Sequence, residues 1–346
     1  MHVQRGAGRR AAARPPRRGR AGRACHAGGM LAELGIAVIH YRTPEVALDC
    51  LARLRRAAPA ARVVVVDTAP DTAFEARLRR GFPEVGFVAA ANHSYSHAVN
   101  VGLARLERPL LVQMNADVLV EPGTLRALVA ALEADPACGA VGPLARTPTG
   151  APQPLGAPYQ RHYRALARAA RRAAAAPPPA GAPPASVPVP WLSGCLQLIR
   201  REAWEASGGY DESFRFFNED MDFCFRLRAL GYACRLVDAP ALHLGGASTP
   251  RHPAFHVEGR RGGFELSRRY RSAPYRAAHL AFLWGEALLG RLTSRAPERR
   301  AAHRAMLALL RRRAWHASPF GATLDDRSGL LSDTAGERPG AERRLL

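Results

Sequence analysis

The sequence predicts an α/β fold in which a mostly parallel sheet is flanked by helices and followed by a helical C-terminal extension. Short apolar segments of strand length alternate with amphipathic segments of roughly 10 to 14 residues. Polar residues follow the apolar segments at their carboxyl ends. This alternation is typical of βαβ units, whose parallel strands are covered by helices on both faces.

The first half of the chain carries the alternation most clearly. Leu34–His40 has the apolar pattern of a buried strand, and Thr43 and Pro44 then supply an N-cap and a first-turn proline for a helix. Valine-rich runs suit strands, and apolar residues at helical spacing suit helices. The other elements predicted on these grounds are strands over 62–66, 85–89, 109–114 and 138–142 and helices over 45–57, 71–80, 95–106 and 122–134.

The second half is interrupted by residues 164–190, whose alanine and proline content favours a surface insert or flexible loop. After it, the pattern predicts strands over 191–199 and 232–237, helices over 201–206 and 220–230, and a mostly helical stretch over 255–315. The predicted organisation is a disordered Arg-rich tail over 1–32, an α/β domain over 33–250, a helical extension over 251–316 and a loose tail over 317–346.

The positive charge of the chain lies mostly outside the α/β pattern. The 346 residues include 50 Lys+Arg, all of them arginine, against 29 Asp+Glu, which gives a net charge of +21. Residues 33–142 and 191–250, however, carry only −1 and −2. A basic chain favours nucleic acid or an anionic membrane as partner, but no recognition-helix or RNA-binding pattern accompanies this charge. An Arg-rich nucleic-acid-binding protein remains the alternative of a different class, and no specific nucleic-acid partner is expected.

Composition also limits the location of the protein. A hydrophobic content of 47% excludes wholesale disorder, and the six cysteines show no C-x-x-C spacing, which favours buried thiols in a reducing compartment. No apolar run reaches the ~18 residues of a membrane span, and no signal-peptide pattern follows the basic N-terminus. The expected location is the cytoplasm, with peripheral contact to the inner face of the plasma membrane as an option.

Residues 276–292 carry that membrane option. They can form an amphipathic helix flanked by arginines, which would lie on an anionic leaflet. The alternative, which we favour from the sequence, is a C-terminal helix packed into the core.

Polar residues at strand ends predict where the functional site lies. Ligands of open α/β sheets bind beyond the carboxyl ends of the strands, so residues following several strands should converge on one rim. The residues in these positions are His40, Tyr41, Asp67, Asn92, Asn115 and Asp117.

Asp117 and His243 are candidate metal ligands. Asp117, with Asn115 two residues before it, offers the oxygen ligands that Mg²⁺ and Mn²⁺ prefer, and the alternative is a capped polar turn. His243 lies beside a Gly-Gly turn and could complete a metal site, although a lone histidine is more often structural.

Acidic residues after an aromatic loop are the candidate general bases. Glu219, Asp220 and Asp222 place three carboxylates within four residues, and like charges this close repel one another unless function requires them. The alternative is that they stabilise the macrodipole at a helix start. Asp220 and Glu219 are the candidates for proton transfer.

Asp67 and Asp71 follow the second strand and can accept hydrogen bonds from a base or ribose, or form an Asx-type turn. The first strand has no glycine-rich phosphate loop after it, which argues against dinucleotide enzymes and P-loop NTPases.

Six segments in order resemble family 2 glycosyltransferases of the GT-A fold, and in particular bacterial rhamnosyltransferase-type members. They are IAVIHYRTPEVALDCLARL (36–54), VVVVDTAPDT (63–72), NHSYSHAVNVGL (92–103), LLVQMNADVLVEPGTL (110–125), the block from Trp191 to Tyr232 containing SGCLQLIRR and FFNEDMDFCFR, and ALHLGGAST (241–249). The resemblance implies a Rossmann-like GT-A sheet and a nucleotide-sugar-dependent transferase.

The resemblance also assigns roles to individual positions. The donor nucleotide would be bound by His40, Tyr41, Thr43, Asp67, Asp71, Asn92, Asn100 and Asn115. Asp117 and His243 would hold Mg²⁺ or Mn²⁺, and Asp220, with Glu219 as substitute, would be the catalytic base. Trp191, Gly194, Arg200 and Asp222 would shape or brace the acceptor side.

The implied reaction is an inverting transfer of a sugar, with rhamnose from dTDP-rhamnose as the first expectation and UDP- or GDP-sugars as the others. The acceptor would be a hydroxyl of a glycan or lipid-linked oligosaccharide in cell-surface polysaccharide synthesis. Two departures from the family pattern matter, because Asn115-Ala116-Asp117 replaces D-x-D and His93 stands where glycine is usual. A catalytically inactive, nucleotide-sugar-binding paralogue is therefore a further alternative.

Overall fold

The computed structural model describes residues 31–156, 159–175, 182–245 and 252–326. In chain order, the elements within these ranges are β1 (Leu34–His40), α1 (Pro44–Ala57), β2 (Arg62–Asp67), α2 (Thr72–Gly81), β3 (Gly86–Ala89), α3 (Tyr95–Ala104), β4 (Leu110–Asn115), β5 (Val118–Val120), α4 (Thr124–Glu133), β6 (Cys138–Arg146), α5 (Gln160–Ala175), β7 (Ser186–Pro188), β8 (Leu196–Arg200), α6 (Arg201–Ser207), α7 (Glu219–Ala229), β9 (Ala233–His243), α8 (Pro253–Tyr270), α9 (Ala273–Thr293) and α10 (Pro297–Arg312).

One mixed sheet organises the α/β part of the chain. Its strand order is β3-β2-β1-β4-β8-β6-β9-β5, and β7 pairs with β9. The strands β3, β2, β1 and β4 are parallel, β8 runs antiparallel to both β4 and β6, and β6 is parallel to β9. The expected mostly parallel sheet is therefore present, with β5, β7 and β8 as its antiparallel members.

Helices cover both faces of this sheet because alternate strand residues point to opposite sides. Within β1, Ile36 and Val38 belong to one apolar core, whereas Ala37 and Ile39 belong to the other. The first core is completed mainly by α1, α2 and α4, and the second mainly by α3, α5, α6 and α7. The short run of apolar residues in β1 is thus buried on both faces, as the sequence predicted.

The interpretation of residues 164–190 as a flexible loop is wrong for the first part of this range. Residues up to Ala175 belong to α5, where Tyr163 and Leu166 pack into the second core. Alanine and arginine are strong helix formers, and the prolines that dominate the composition begin only at Pro177, beyond this helix. The strand predicted over 191–199 is also shorter, since β8 begins at Leu196.

The C-terminal extension consists of α8, α9 and α10, which share a core containing Phe264, Leu283 and Trp315. The predicted loose tail is wrong for residues 317–326, because Phe320 and Leu324 are buried against Phe255 of α8. The predicted disorder of residues 1–29 lies outside the described residues, as does the tail after 326. None of the described helices is long and apolar enough to cross a membrane.

All five cysteines within the described ranges are buried free thiols. Burial raises the pKa of the Cys50 and Cys138 thiols to about 12, so both stay protonated at neutral pH. This agrees with structural cysteines rather than a disulfide framework, and Cys25 lies outside the described residues.

Candidate active site

A cavity of about 90 Å³ lies beyond the carboxyl ends of β1 and β4, between the sheet and the C-terminal segment. Predicted site residues that line it are His40, Tyr41, Thr43, Asn92, Asn115 and Asp117. The cavity is also lined by Phe216 from the aromatic loop, Phe255 from α8 and Leu324 from the chain end. Residues from six separate regions of the sequence thus meet at the rim that the strand ends predict.

His40 forms part of the cavity wall, and Asp67 supports it from beneath. The Nε2 atom of His40 accepts a hydrogen bond from the Thr43 N–H at 3.0 Å, so the ring proton is on Nδ1. That Nδ1 faces Asp67 Oδ1 at 3.0 Å, and both side chains are buried. Within the described residues, Asp67 Oδ2 has no hydrogen-bond partner. Asp67 itself does not line the cavity, and its unpaired oxygen lies behind the cavity wall.

Asp117 and His243 are brought together by strand pairing. The antiparallel pairing of β5 with β9 sets Val118 opposite His243, which places Asp117 Oδ1 3.4 Å from His243 Nε2. Asp117 is buried, and in the described ranges its Oδ1 accepts no hydrogen bond.

These two side chains fit a divalent cation only as a partial protein ligand set. No group of three or more His, Cys, Asp or Glu in the described ranges could hold a metal. Mg²⁺ and Mn²⁺ are commonly held by one or two protein ligands plus substrate phosphates and water. The orphaned oxygen of Asp117 and the imidazole of His243 therefore suit an ion shared with a diphosphate.

Tyr95 joins the metal side of the cavity to the acidic residues of α7. Its hydroxyl lies within hydrogen-bond distance of Gln113 Oε1, Asn115 Oδ1 and the Gly194 carbonyl, at 2.8, 2.6 and 3.0 Å. Burial and nearby carboxylates, chiefly Glu219, raise the pKa of Tyr95 well above 10, so the phenol stays protonated. The hydroxyl fixes the position of Asn115, which lines the cavity.

Asp220 does not line the cavity. It is linked to Tyr95 through Gly194, whose carbonyl accepts a hydrogen bond from the Tyr95 hydroxyl. The Gly194 N–H donates to Asp220 Oδ2 at 2.8 Å, and the Met221 N–H donates to Asp220 Oδ1, also at 2.8 Å. Burial raises the pKa of Asp220 from 3.8 to about 6, with the backbone hydrogen bonds opposing the rise. A carboxyl with this pKa is ionised at neutral pH yet is a stronger base than an exposed aspartate.

Glu219 is buried beside Asp220, and its Oε2 atom has no hydrogen-bond partner among the described residues. Burial first, and the Asp220 charge second, raise the pKa of Glu219 well above 4.5. Two adjacent carboxyls with raised pKa values are the environment expected of acid–base groups rather than of helix-dipole partners alone.

The backbone is strained immediately before these carboxyls. Phe217 and Asn218 both have positive φ angles, of 66° and 69°, although neither is glycine. The Asn218 side chain is held by a 3.0 Å hydrogen bond to the Gly259 carbonyl of α8. Consecutive left-handed residues are costly and are typical of positions where function fixes the backbone.

Several predicted residues lie away from the cavity. Asp71 is an exposed N-cap that accepts from the Ala73 N–H, and Asn100 binds the backbone of Tyr210. Trp191 packs its ring 5.0 Å from that of Tyr159. Asp222 is bound by Arg226, Arg269 and Tyr270. These four side chains brace loops rather than line the cavity.

Arg200 requires a correction. It pairs with Leu110 at the start of β4, whereas the cavity lies beyond the other end of that strand. Its guanidinium binds the Cys138 and Leu132 carbonyls and Glu133. Because β8 runs antiparallel to β4, its last residue lies at the end of the strands away from the cavity, and Arg200 does not line the cavity.

The sequence did not single out Asp325 or Tyr95. Asp325 accepts hydrogen bonds from the Tyr41 hydroxyl at 2.5 Å and from Asn92 Nδ2 at 2.8 Å. The Leu324 N–H donates to the Asn92 carbonyl, and Arg215 binds the Gly321 and Ala322 carbonyls. The chain end is thus fastened over the cavity by polar contacts that no local pattern indicates. For Tyr95, the aromatic position within the NHSYSH motif was an available signal.

Comparison with known families gives two matches. Residues 32–242 match the model of "Glycosyltransferase like family 2", and residues 183–321 match "Glycosyl transferase family group 2". The first match spans more than half of the chain and contains β1 to β8, all of β9 except His243, and both candidate bases.

Curated relatives come from two strains of Mycobacterium tuberculosis. Each is an N-acetylglucosaminyl-diphospho-decaprenol L-rhamnosyltransferase, 32% identical to this chain over 200 residues. The match covers 51% of this chain and 64% of each relative, so the chain spans somewhat under two thirds of the length of these proteins.

Solved structures support the fold. The mannosyltransferase PcManGT from Pyrobaculum calidifontis, in complex with GDP-Man and Mn²⁺, aligns with a TM-score of 0.51 at 19% identity, over 82% of this chain and 88% of that one. TarS of S. aureus aligns with a TM-score of 0.50 at 13% identity, over 81% of this chain and 49% of that one. The sheet, the convergent rim and the family matches together show that this chain belongs to glycosyltransferase family 2 and has the GT-A fold.

Proposed function

We propose that this glycosyltransferase moves rhamnose, with inversion, from dTDP-rhamnose to a hydroxyl of a lipid-linked glycan during cell-surface polysaccharide synthesis. The choice of sugar and acceptor is supported by the rhamnosyltransferase relatives at 32% identity. UDP- and GDP-sugars are the competing donors.

The observation that carries the proposal is the position of Asp220, which is linked through Gly194 to Tyr95 of the cavity wall and whose pKa burial raises to about 6. In an inverting transfer, a base takes the proton of the acceptor hydroxyl as its oxygen attacks the anomeric carbon and the nucleoside diphosphate leaves. The Gly194 and Met221 N–H groups hold both carboxylate oxygens of Asp220, which fixes the orientation of the carboxylate. Glu219 is the substitute base.

The donor nucleotide would occupy the cavity lined by His40, Tyr41 and Thr43, with Asp67 Oδ2 as the unsatisfied acceptor below it. Asp117 and His243 would hold a Mg²⁺ or Mn²⁺ ion, which neutralises charge on the departing diphosphate when it is bound. Asn115, positioned by Tyr95, would contact the sugar or the diphosphate from the same strand end.

A donor panel scored for nucleoside diphosphate release tests the proposal. Purified protein is assayed with dTDP-rhamnose, UDP-sugars and GDP-sugars, each with N-acetylglucosaminyl-diphospho-polyprenol, in Mg²⁺, Mn²⁺ or chelator. We expect acceptor-dependent release of dTDP that Asp220→Asn lowers by roughly 10²- to 10⁴-fold. Glu107→Gln, which changes an exposed carboxylate that does not line the cavity, is the matched control and should keep turnover near the wild-type rate.

Two results would contradict the proposal. Near-full turnover by Asp220→Asn would remove the base assignment, and binding of nucleoside diphosphates without any turnover would favour the inactive paralogue. Membership of the glycosyltransferase family argues against the nucleic-acid alternative. Duplex binding that survives removal of residues 1–29 would revive it.

A further inference from the structure

Helix α9 presents an apolar face to solvent. Six large hydrophobic residues are exposed in the described part of the chain, and five of them are on this helix. Those five are Tyr275, Phe282, Leu288, Leu289 and Leu292, with exposed fractions of 52%, 58%, 47%, 62% and 81%. Concentration on one element distinguishes this patch from the single exposed hydrophobics that every soluble surface carries.

The exposed residues form a continuous stripe. Tyr275, Phe282 and Leu289 recur every seven residues, which is close to two helical turns. The opposite face, with Leu283 and Ala287 buried, packs within the three-helix core of the extension. The sequence-based preference for a core-packed helix over 276–292 agrees with the Leu283 face, and the stripe lies outside that packing.

Arginines stand at both ends of the stripe, and acids are nearly absent. Between residues 271 and 300 the chain has six arginines, namely Arg271, Arg276, Arg291, Arg295, Arg299 and Arg300, against two acids. One of the acids, Glu286, pairs with Arg260 of α8 and is mostly buried. The exposed surface of α9 thus combines aromatic and leucine side chains with Arg276 and Arg291, and the exposed Glu298 lies in α10 among Arg295, Arg299 and Arg300.

The charge at both ends argues against a second copy of the chain as the occupant. Two such stripes could meet parallel or antiparallel, and either arrangement sets arginines against arginines. Like charges placed face to face across an interface are costly. An anionic bilayer offers the complementary arrangement, with phosphates for the arginines and acyl chains for the stripe.

We infer that the stripe on α9, comprising Tyr275, Phe282, Leu288, Leu289 and Leu292, docks the enzyme on an anionic lipid surface. The inference rests on the proposed function in one respect, since a lipid-linked acceptor would reach the active site from that surface. Docking itself needs no donor, metal or turnover, and can be measured separately.

Vesicle flotation of the full chain tests the inference. The probes are vesicles of phosphatidylcholine alone and vesicles containing phosphatidylglycerol. We expect the wild type to float with the anionic vesicles only. Phe282→Gln/Leu289→Gln should reduce the partition coefficient at least about 50-fold. Arg291→Gln/Arg295→Gln should reduce it about 20-fold.

The control is Arg105→Gln/Arg126→Gln, which removes two exposed arginines of the α/β part and should leave partitioning within about twofold. Thermal unfolding and turnover on a water-soluble acceptor confirm that each variant is folded. Binding unchanged by the α9 variants overturns the inference, as does a wild-type dimer that those variants convert to monomer without any vesicle binding. Flotation with no turnover on any donor would instead contradict only the proposed function.

Discussion

Replacing Asp220 with asparagine should change how the stability of the fold depends on pH. The carboxyl is mostly buried at the start of α7 beside Glu219, and two backbone N–H groups hold its oxygens. Burial raises its pKa from 3.8 to about 6. A carboxyl whose pKa is raised in this way is ionised at neutral pH at a cost to the folded state.

The sign follows from proton linkage. Because the pKa in the folded protein exceeds that in the unfolded chain, the folded state binds more protons between pH 4 and 6, and the free energy of unfolding falls as pH rises through that window. The shift corresponds to about 3 kcal/mol, and partial exposure of the side chain reduces this to about 2 kcal/mol. Asparagine does not titrate, so the variant lacks this loss.

Denaturant unfolding of both proteins from pH 4 to 7.5 at constant ionic strength measures the effect. The unfolding free energy of Asp220→Asn minus that of the wild type should increase by about 2 kcal/mol as pH rises over this range. Any change in unfolding free energy that the altered hydrogen bonds cause at every pH alike does not affect this pH dependence. Glu219→Gln should show the same sign, since the pKa of Glu219 is also raised. A difference that is flat with pH, or of opposite sign, would refute the assignment of a raised pKa to Asp220.

Four further predictions concern separate parts of the site and its supports. Gly194→Ala should lower turnover at least about 10-fold, because its Cβ would lie 3.3 Å from Asp220 Cβ, whereas Gly123→Ala, with open space, should not. Glu258→Gln should destabilise the fold by about 3 kcal/mol in urea unfolding, since it leaves the buried Arg261 charge uncompensated, and exposed Glu298→Gln should be near neutral. His243→Ala should raise the Mn²⁺ concentration for half-maximal turnover about 10-fold or more, and an unchanged value would remove it as a ligand. Asp325→Ala should speed hydrogen exchange at the Leu324 amide, measured by mass spectrometry, because it removes the contacts to Tyr41 and Asn92 that fasten the segment.

The strand-rich half of the fold was predictable because its signals are local. The run RVVVVD is almost entirely valine between polar ends, and parallel strands that end in polar residues have one edge at which those residues can meet. His40, Asn115 and Asp117 therefore converge as predicted. The α5 helix was missed because prolines downstream dominated the composition of a segment whose first half is made of helix formers.

The remaining parts of the site depend on contacts between distant residues. Asp325 and Tyr41 are 284 positions apart, and the segment around Asp325 has neither periodicity nor a motif. Arg200 was misassigned because its position within a motif does not reveal which end of an antiparallel strand faces the ligand. Exposure of the α9 stripe likewise could not be read from the sequence, since an amphipathic helix and a core helix share the same apolar spacing.

The boundary predicted at residue 250 divides two sequence patterns. Residues beyond it nevertheless contact the loop and helix that carry the candidate active site. Arg269 and Tyr270 of α8 hold Asp222 in the first turn of α7, two residues after the candidate base. The buried Glu258–Arg261 pair of the same helix binds the backbone of Ser213 and Arg215 in the loop before that turn. Because α8 fixes both sides of the strained Phe217–Asn218 segment, the helical extension sets the position of Asp220. A membrane surface that docks α9 would therefore contact a helix that shares its core with α8, the helix that supports the candidate base Asp220.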